Sequence, residues 1–438
     1  MRLNIAPAEP VVLSKDQISY EIGTDWYGNY EVYITKLLDT SLTDIIIPAT
    51  IEDIPVLFIG AEAFKNCTNL TSVVIPDSVT SIGESAFFGC TNLTSITIPD
   101  SVTYIGACAF EKCTNLTYVD LPEVALLDAA IFYGCSSLKS IELPKLPEFT
   151  WGMTSIGTRM FSGCTSLTSV TLPEGITEIG YMAFLNCSSL TSIEIPDSVT
   201  AFGEYAFDGC KSLTSIEIPE GVVSGLYFSG CSSLTSINIP KGVTDIDFSD
   251  CSSLTSIEIP EGVTYIQLLN CTGLTRVTIP SSATSISLAG CSNLTSIEIP
   301  ERTTLNYMSF SRCSSLTSIE IPEGVTEIFD STFSSCSSLK NVKLPDSITS
   351  IGDYAFHDCV SLTSVEIPKG VTEIGAFAFN GCKSLTSIEI PTSVTGIYVS
   401  AFGGCDKLKC IVTKGSYAET RLKEGIKKKE WNVTVVTK

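Results

Sequence analysis

The chain has 438 residues, 44% hydrophobic and 9% aromatic, with 48 Asp/Glu against 26 Lys/Arg and a net charge of −22. That apolar content excludes a disordered chain, and the acidic balance argues against nucleic acid as a partner. No stretch approaches the ~20 apolar residues of a membrane-spanning helix, so no membrane span is expected.

The start, MRLNIAPAEPVVLSKDQ, has one early Arg and no apolar run, so no signal peptide is read there. Residues 1–41 are read as an N-terminal segment. Within it, YEIGTDWYGNYEVYI (Tyr20 to Ile34) predicts an aromatic β-hairpin with a Gly/Asn turn, placed to cap the first repeat.

From Leu42 the pattern L-x-x-[IVL]-x-[IL]-P recurs sixteen times, closed by prolines from Pro48 to Pro391, and a seventeenth copy without the proline begins at Leu408. Repeats of this length stack, each burying its apolar face on its neighbours. In LTSITIPDSVTYIGACAFEKC (Leu93 to Cys113), Leu93, Ile96 and Ile98 face one way and Thr97 the other, as in a strand. Pro99 ends the strand because it has no N–H for the next ladder bond. Val102 and Ile105 predict a second short extended pair, Gly106 a tight corner, and Ala109 and Phe110 a turn ending at Cys113. Strands of successive rungs run the same way, so the main sheet is expected to be parallel. The expectation is a repeat solenoid, mainly β, of about 17 rungs: residues 42–405, then a last rung and cap over 406–438.

Phe stands three residues before the repeat Cys in fourteen of sixteen copies, Leu268 and Leu288 being the exceptions. This column predicts the apolar spine. Sixteen of eighteen cysteines share one repeat position, from Cys67 to Cys405, and only Cys108 and Cys410 fall outside it. Stacked equivalent residues have parallel Cβ vectors, a poor geometry for bridges, so a ladder of buried free thiols is expected. Cys135 to Cys164 is a long step of 29 residues that contains KLPEFTWGMTS (Lys145 to Ser155). The steps from Cys210 to Cys291 shorten to 21, 20, 20 and 20 by losing the I-G-x-x-A-F corner. Narrowing one side should change the local curvature, and the loop around Trp151 is a candidate binding element. Toward the end, Ser416 and Glu419 in SYAE predict a capping box for a helix to about Glu430, and WNVTVV a closing strand. From Lys407 onward nine Lys/Arg face three Glu, which leaves −28 for the preceding residues.

One column has chemical character. The outward strand position between the two core aliphatics holds Asp120, Glu142, Glu194, Glu217, Glu258, Glu298, Glu320, Glu366 and Glu389. Thr columns (Thr191, Thr214, Thr255, Thr295) lie earlier in the same strands. Either the acids keep an open face soluble, or they line an acidic, hydroxyl-rich groove for a basic protein, a glycan or divalent cations. The only histidine, His357, reads as a surface turn residue, and no phosphate loop, H-E-x-x-H or nucleophile elbow occurs. An enzyme, a cofactor and a metal centre are therefore not expected.

The string GCTNLTSITIPDSVTYIGACAF and its sisters resemble BspA-like proteins, the treponemal-type leucine-rich repeats. DIIIPATIEDIPVLFIGAEAF and GSYAETRLKEGI resemble that family's first and last repeats. The resemblance implies a right-handed leucine-rich-repeat arc, with the parallel sheet on the concave face and short strands and turns on the other. It further implies a surface or secreted, adhesin-like binding protein, here expected as a monomer, taking a protein or glycan on its concave face. An ice- or mineral-binding surface built on the Thr columns is one alternative. A carbohydrate-processing enzyme using paired carboxylates is another.

Overall fold

An L-x-x-I-x-I-P unit leaves room for a strand of only about three residues before proline ends it, and the side-chain alternation decides which one is buried. The computed structural model describes residues 10–123, 125–144, 155–301 and 303–438. In it, strands such as Ser95–Thr97 and Tyr118–Asp120 bury the central residue and expose its two neighbours. The fold is a parallel β-solenoid of about 17 turns, mostly strand, with one helix among the described residues. The chain divides into two compact units, Met1–Cys231 and Ser232–Lys438.

In the first unit the rungs build two ladders. The first contains Val11–Val12, Asp44–Ile46, Ser72–Val74, Ser95–Thr97 and Tyr118–Asp120 in that spatial order, all parallel. The second contains Ile54–Ile59, Ser81–Ile82, Tyr104–Ile105 and Leu126–Leu127. Ile18–Thr24 and Tyr30–Leu37 form an antiparallel hairpin that adds to the second ladder through Ile54–Ile59. Its turn is fixed by Asp25, whose Oδ1 accepts hydrogen bonds from the Tyr27 and Asn29 amides, both at 2.8 Å, with Gly28 at φ 87°.

The second unit repeats this plan in two styles. Its early rungs carry three-residue second-ladder strands, Asp245–Asp247, Tyr265–Gln267, Ser285–Ser287 and Tyr307–Ser309. Its later rungs carry two-residue strands, Glu327–Ile328, Ser350–Ile351, Glu373–Ile374 and Gly396–Ile397. The unit ends with helix Tyr417–Lys427. Ser416 Oγ accepts from the Glu419 amide at 3.2 Å, and Glu419 reaches back to the Gly415 amide at 2.7 Å. Strand Thr434–Thr437 then pairs in parallel with Lys409–Val412.

The core is a set of stacked columns. Phe64, Phe87, Phe110, Phe132, Phe161, Phe184 and Phe207 stack at centroid distances of 5.0–5.9 Å in the first unit. In the second, the stack from Phe310 to Phe402 closes edge-on against Trp431 at 6.1 Å. All eighteen cysteines are free thiols. The ladder thiols do more than fill space: at least fourteen of the sixteen donate their S–H to the carbonyl of the preceding rung's spine residue, as from Cys113 to Phe87 at 3.2 Å and from Cys291 to Leu268 at 3.0 Å. A small apolar side chain that also carries a weak donor adds a second contact to a carbonyl that already accepts from its own rung's cysteine amide, as Phe87 O does from Cys90 N at 3.2 Å. Burial pushes several of these thiols upward in pKa, Cys67 to about 11 and Cys359 to about 12. Cys410 joins the core as well. It pairs in register with Ile388, so the last rung has lost one residue and a cysteine occupies an isoleucine site.

Long rungs turn their corner through close backbone contact. A Cβ on Gly83 would lie 2.6 Å from the Ala61 amide nitrogen, and one on Gly203 2.4 Å from that of Tyr181. Each such rung also spends two residues at positive φ, for example Ser85 and Gly89, or Tyr354 and Asp358. Short rungs keep only the second, as at Asp250 and Asn270. Removing the corner therefore removes one left-handed residue and, in the second unit, lengthens the second-ladder strand.

Candidate functional site

Alternation along the first-ladder strand projects one residue per rung from the open face, and the nine acids at this position are all exposed. Asp120, Glu142, Glu298, Glu320 and Glu389 sit within strands. Glu366 directly follows Ser364–Val365, and Glu258 makes a single bridge to Thr278. Glu194 and Glu217 lie in segments without ladder pairing. Trp151 and the rest of its insertion up to residue 154 lie outside the described residues.

The acids do not form one uninterrupted column. In register, Asp120 stands beside Thr97, Glu142 beside Thr171, Glu298 beside Thr278 and Glu320 beside Lys343. Four steps would set acid against acid on neighbouring rungs: Asp120/Glu142, Glu194/Glu217, Glu298/Glu320 and Glu366/Glu389. At none of the four is there ladder pairing among the described residues. Like charges directly opposed destabilise a sheet. The first ladder is open at these four steps and is paired at Glu142/Thr171, Thr278/Glu298 and Glu320/Lys343, but it is also open at Thr171/Glu194, so charge repulsion accounts for only some of the breaks that cut the sheet into short pieces.

In the second unit this face forms a shallow groove of about 1470 Å³, lined by Glu298, Glu320, Glu366 and Glu389 and by the post-proline residues Glu301 and Glu323. In the first, Asp120, Glu123 and Glu142 line a groove of about 520 Å³. Lys343 measures the field. It pairs with Glu320, and its pKa is raised first by that hydrogen bond and charge, then by Glu323 and Glu301. Lys438 pairs with Glu389 in the same groove. Repeat alignment alone could have marked Lys343, because NVKLP places Lys where its sisters carry Glu; Lys438 has no such signal.

The Thr columns are occupied with holding rungs together. Thr214 Oγ1 donates to Thr191 O at 3.4 Å, Thr295 to Thr275 O at 3.1 Å and Thr117 to Thr94 O at 3.0 Å. His357 is a half-buried turn residue beside Asp358, its ring edge-on to Tyr354 at 5.6 Å. Among the described residues no group of three or more His, Cys, Asp or Glu could hold a metal ion, and no helix is long and apolar enough to cross a membrane.

A crystal structure of a leucine-rich repeat protein from Bacteroides ovatus is similar over 97% of this chain and 99% of its own, at 31% identity and a TM-score of 0.62. A leucine rich cell surface protein from Faecalibacterium prausnitzii is 30% identical over 95% of this chain and 98% of its own, with a TM-score of 0.43. No curated protein matches the chain. The BspA type leucine rich repeat region, in six copies, matches residues 57–150, 145–247, 225–328 and 303–421. With that repeat running through most of its length, the chain belongs to the BspA-type leucine-rich repeat family.

Proposed function

We propose that the chain is a non-enzymatic, adhesin-like binding scaffold of the cell surface or the secreted space, acting as a monomer. Its family of repeat scaffolds suggests protein binding in general. The finer reading is that the open strand face, the one expected to be concave, holds a host protein, another cell or a glycan. The observation that carries it is the series of exposed carboxylates from Asp120 to Glu389, joined in the second unit by Glu301 and Glu323, which together with Glu320 raise Lys343. Such a field favours a ligand with cationic groups and speeds its encounter. The Thr hydroxyls, committed to neighbouring carbonyls, are poorly placed for an ice or mineral lattice. Glycoside cleavage needs two carboxylates in contrasting environments, whereas these acids share one exposed environment.

The test is surface plasmon resonance against a small basic protein, at low and high salt, with the full chain and with E298Q/E320Q/E366Q/E389Q. Binding should weaken with salt and drop about tenfold or more in the variant. Equal binding by the two proteins would remove the groove from the proposal.

A further inference from the structure

The second ladder of the second unit presents a different surface, away from the acid column. Tyr307 and Tyr398 are 45% and 48% exposed there. With Phe329, Glu327, Asp330, Asp353 and Glu373 they line a groove of about 610 Å³. The rings are mutually ordered, Tyr307 with Phe329 at 5.9 Å and Tyr354 stacked on Phe377 at 5.0 Å beside them. Glu327 and Glu373 stand two rungs apart in one register column, with Ser350 between them.

The Asp side chains are half committed. Asp330 Oδ1 accepts from the Asp353 amide at 2.7 Å, and Asp353 Oδ1 from the Ala376 amide at 2.6 Å. These bonds fix both carboxylates and leave the second oxygen of each without a partner among the described residues. No Lys or Arg lines the groove. Four carboxylates and a row of exposed rings without a cation is an unbalanced arrangement in both charge and π-face.

The first unit shows what balances it. Along the corresponding corners Tyr181, Tyr205 and Tyr227 form a similar row, with ring centroids 6.1 and 6.0 Å apart. There the chain supplies its own guanidinium, Arg159, 5.9 Å from the centre of the Tyr181 ring. Guanidinium is the side chain that satisfies an aromatic face and a carboxylate together.

We propose that the aromatic and acidic strip around Tyr307, Glu327, Asp330, Asp353, Glu373 and Tyr398 is a docking site for an arginine-bearing basic segment of a partner protein. Arginine side chains stack on the rings and pair with the carboxylates, and the rung spacing of about 4.8 Å sets where successive cations are met. The site lies on a different ladder from the acid column, so it can be occupied separately.

The test uses the full chain and a synthetic oligo-arginine peptide in titration calorimetry, with a neutral gluco-oligosaccharide as the second probe. Tyr307→Ser/Tyr398→Ser and Glu327→Gln/Glu373→Gln alter exposed side chains only and should each weaken peptide binding about fivefold or more. Glu366→Gln/Glu389→Gln, on the other ladder, should leave that component of binding in place. Hydrogen-exchange protection by the peptide should map to residues 327–330 and 350–354. The proposal is overturned if peptide affinity is untouched by both strip variants. It is also overturned if the oligosaccharide binds and is lost with the tyrosines while the peptide does not bind.

Discussion

Within the second unit, the short rungs around Tyr265 and Ser285 and the long rungs around Ser350 and Glu373 solve one closure problem differently. The long rung inserts a corner with a crowded glycine and an extra left-handed residue, and its second-ladder strand is two residues long. The short rung omits the corner, extends the strand to three residues, and in two cases fills the spine with Leu in place of Phe. Both keep the thiol-to-carbonyl bond, at 3.0 Å for Cys271 and 3.0 Å for Cys359. Corner length and spine size thus vary, while the thiol contact does not.

The largest expected effect tests that shared element. Many of the ladder thiols, Cys113, Cys135 and Cys164 among them, have folded-state pKa values above the unfolded value of about 8.5, so the native state holds more protons once pH exceeds that value. Stability is then intact below it and falls as pH rises toward the folded values, by about 1.4 kcal/mol per thiol per pH unit. Summed over the thiols that are raised, this reaches on the order of 10 kcal/mol within about one unit. Circular dichroism should show cooperative unfolding in mild alkali, with long and short rungs failing together. A melting temperature that stays level from neutrality through the thiol range would show that the ladder does not couple folding to protons.

Next is the spine. Phe356→Ala in a long rung should cost about 3–5 kcal/mol, and Leu268→Ala in a short rung about 2–5, because both side chains are fully buried in stacked columns. Urea denaturation of the two variants sharpens the comparison. A Leu268 deficit equal to that of Phe356 would mean the short rungs are packed as tightly despite the smaller side chain.

The corner comes third. A Cβ on Gly375 would lie 2.5 Å from the Gly352 carbonyl carbon and 2.6 Å from the Asp353 amide nitrogen, all backbone. Gly375→Ala should cost about 1–3 kcal/mol. Ser287→Ala, in a short rung that has no such corner, should fall within about 0.5 kcal/mol of the parent. Equal losses would erase the distinction drawn between the two closures.

The smallest effect concerns charge. Glu366→Gln removes one acid-against-acid step while leaving the Glu389–Lys438 pair in place, and should stabilise by roughly 0.2–1 kcal/mol, with slower hydrogen exchange at the flanking amides. Added salt should give the parent part of the same gain and the variant less of it. Exchange rates that do not change would detach the ladder breaks from repulsion.

Much of this was legible in the chain. The period, the Phe spine and the Cys position dictated stacking, because each has one residue type at one interval. The acid column was legible as a list, but its interruption was not, since that depends on which rungs are neighbours in register and on what Thr97 or Lys343 places between them. The donor role of the cysteines was hidden because size alone already explained them. Cys410 looked out of register only because the one-residue deletion in the last rung is invisible until Ile388 shows its partner. The aromatic strip carries no regular sequence period: Phe329 and Tyr398 share one repeat position, but Gly352 and Gly375 hold it in the two rungs between them, and Tyr307 comes from another position.

The rung-to-rung contacts also bear on how such a chain can change length. Cys382 donates to Phe356 O, and Cys359 donates to Phe333 O, the same atoms one repeat earlier. Excising the 23 residues from Val360 to Cys382, or duplicating them, would give every donor at the junction an acceptor of the same kind. Unequal recombination between near-identical repeats can therefore add or delete whole rungs without orphaning a backbone group. Copy number becomes a heritable dial on how much surface the protein displays.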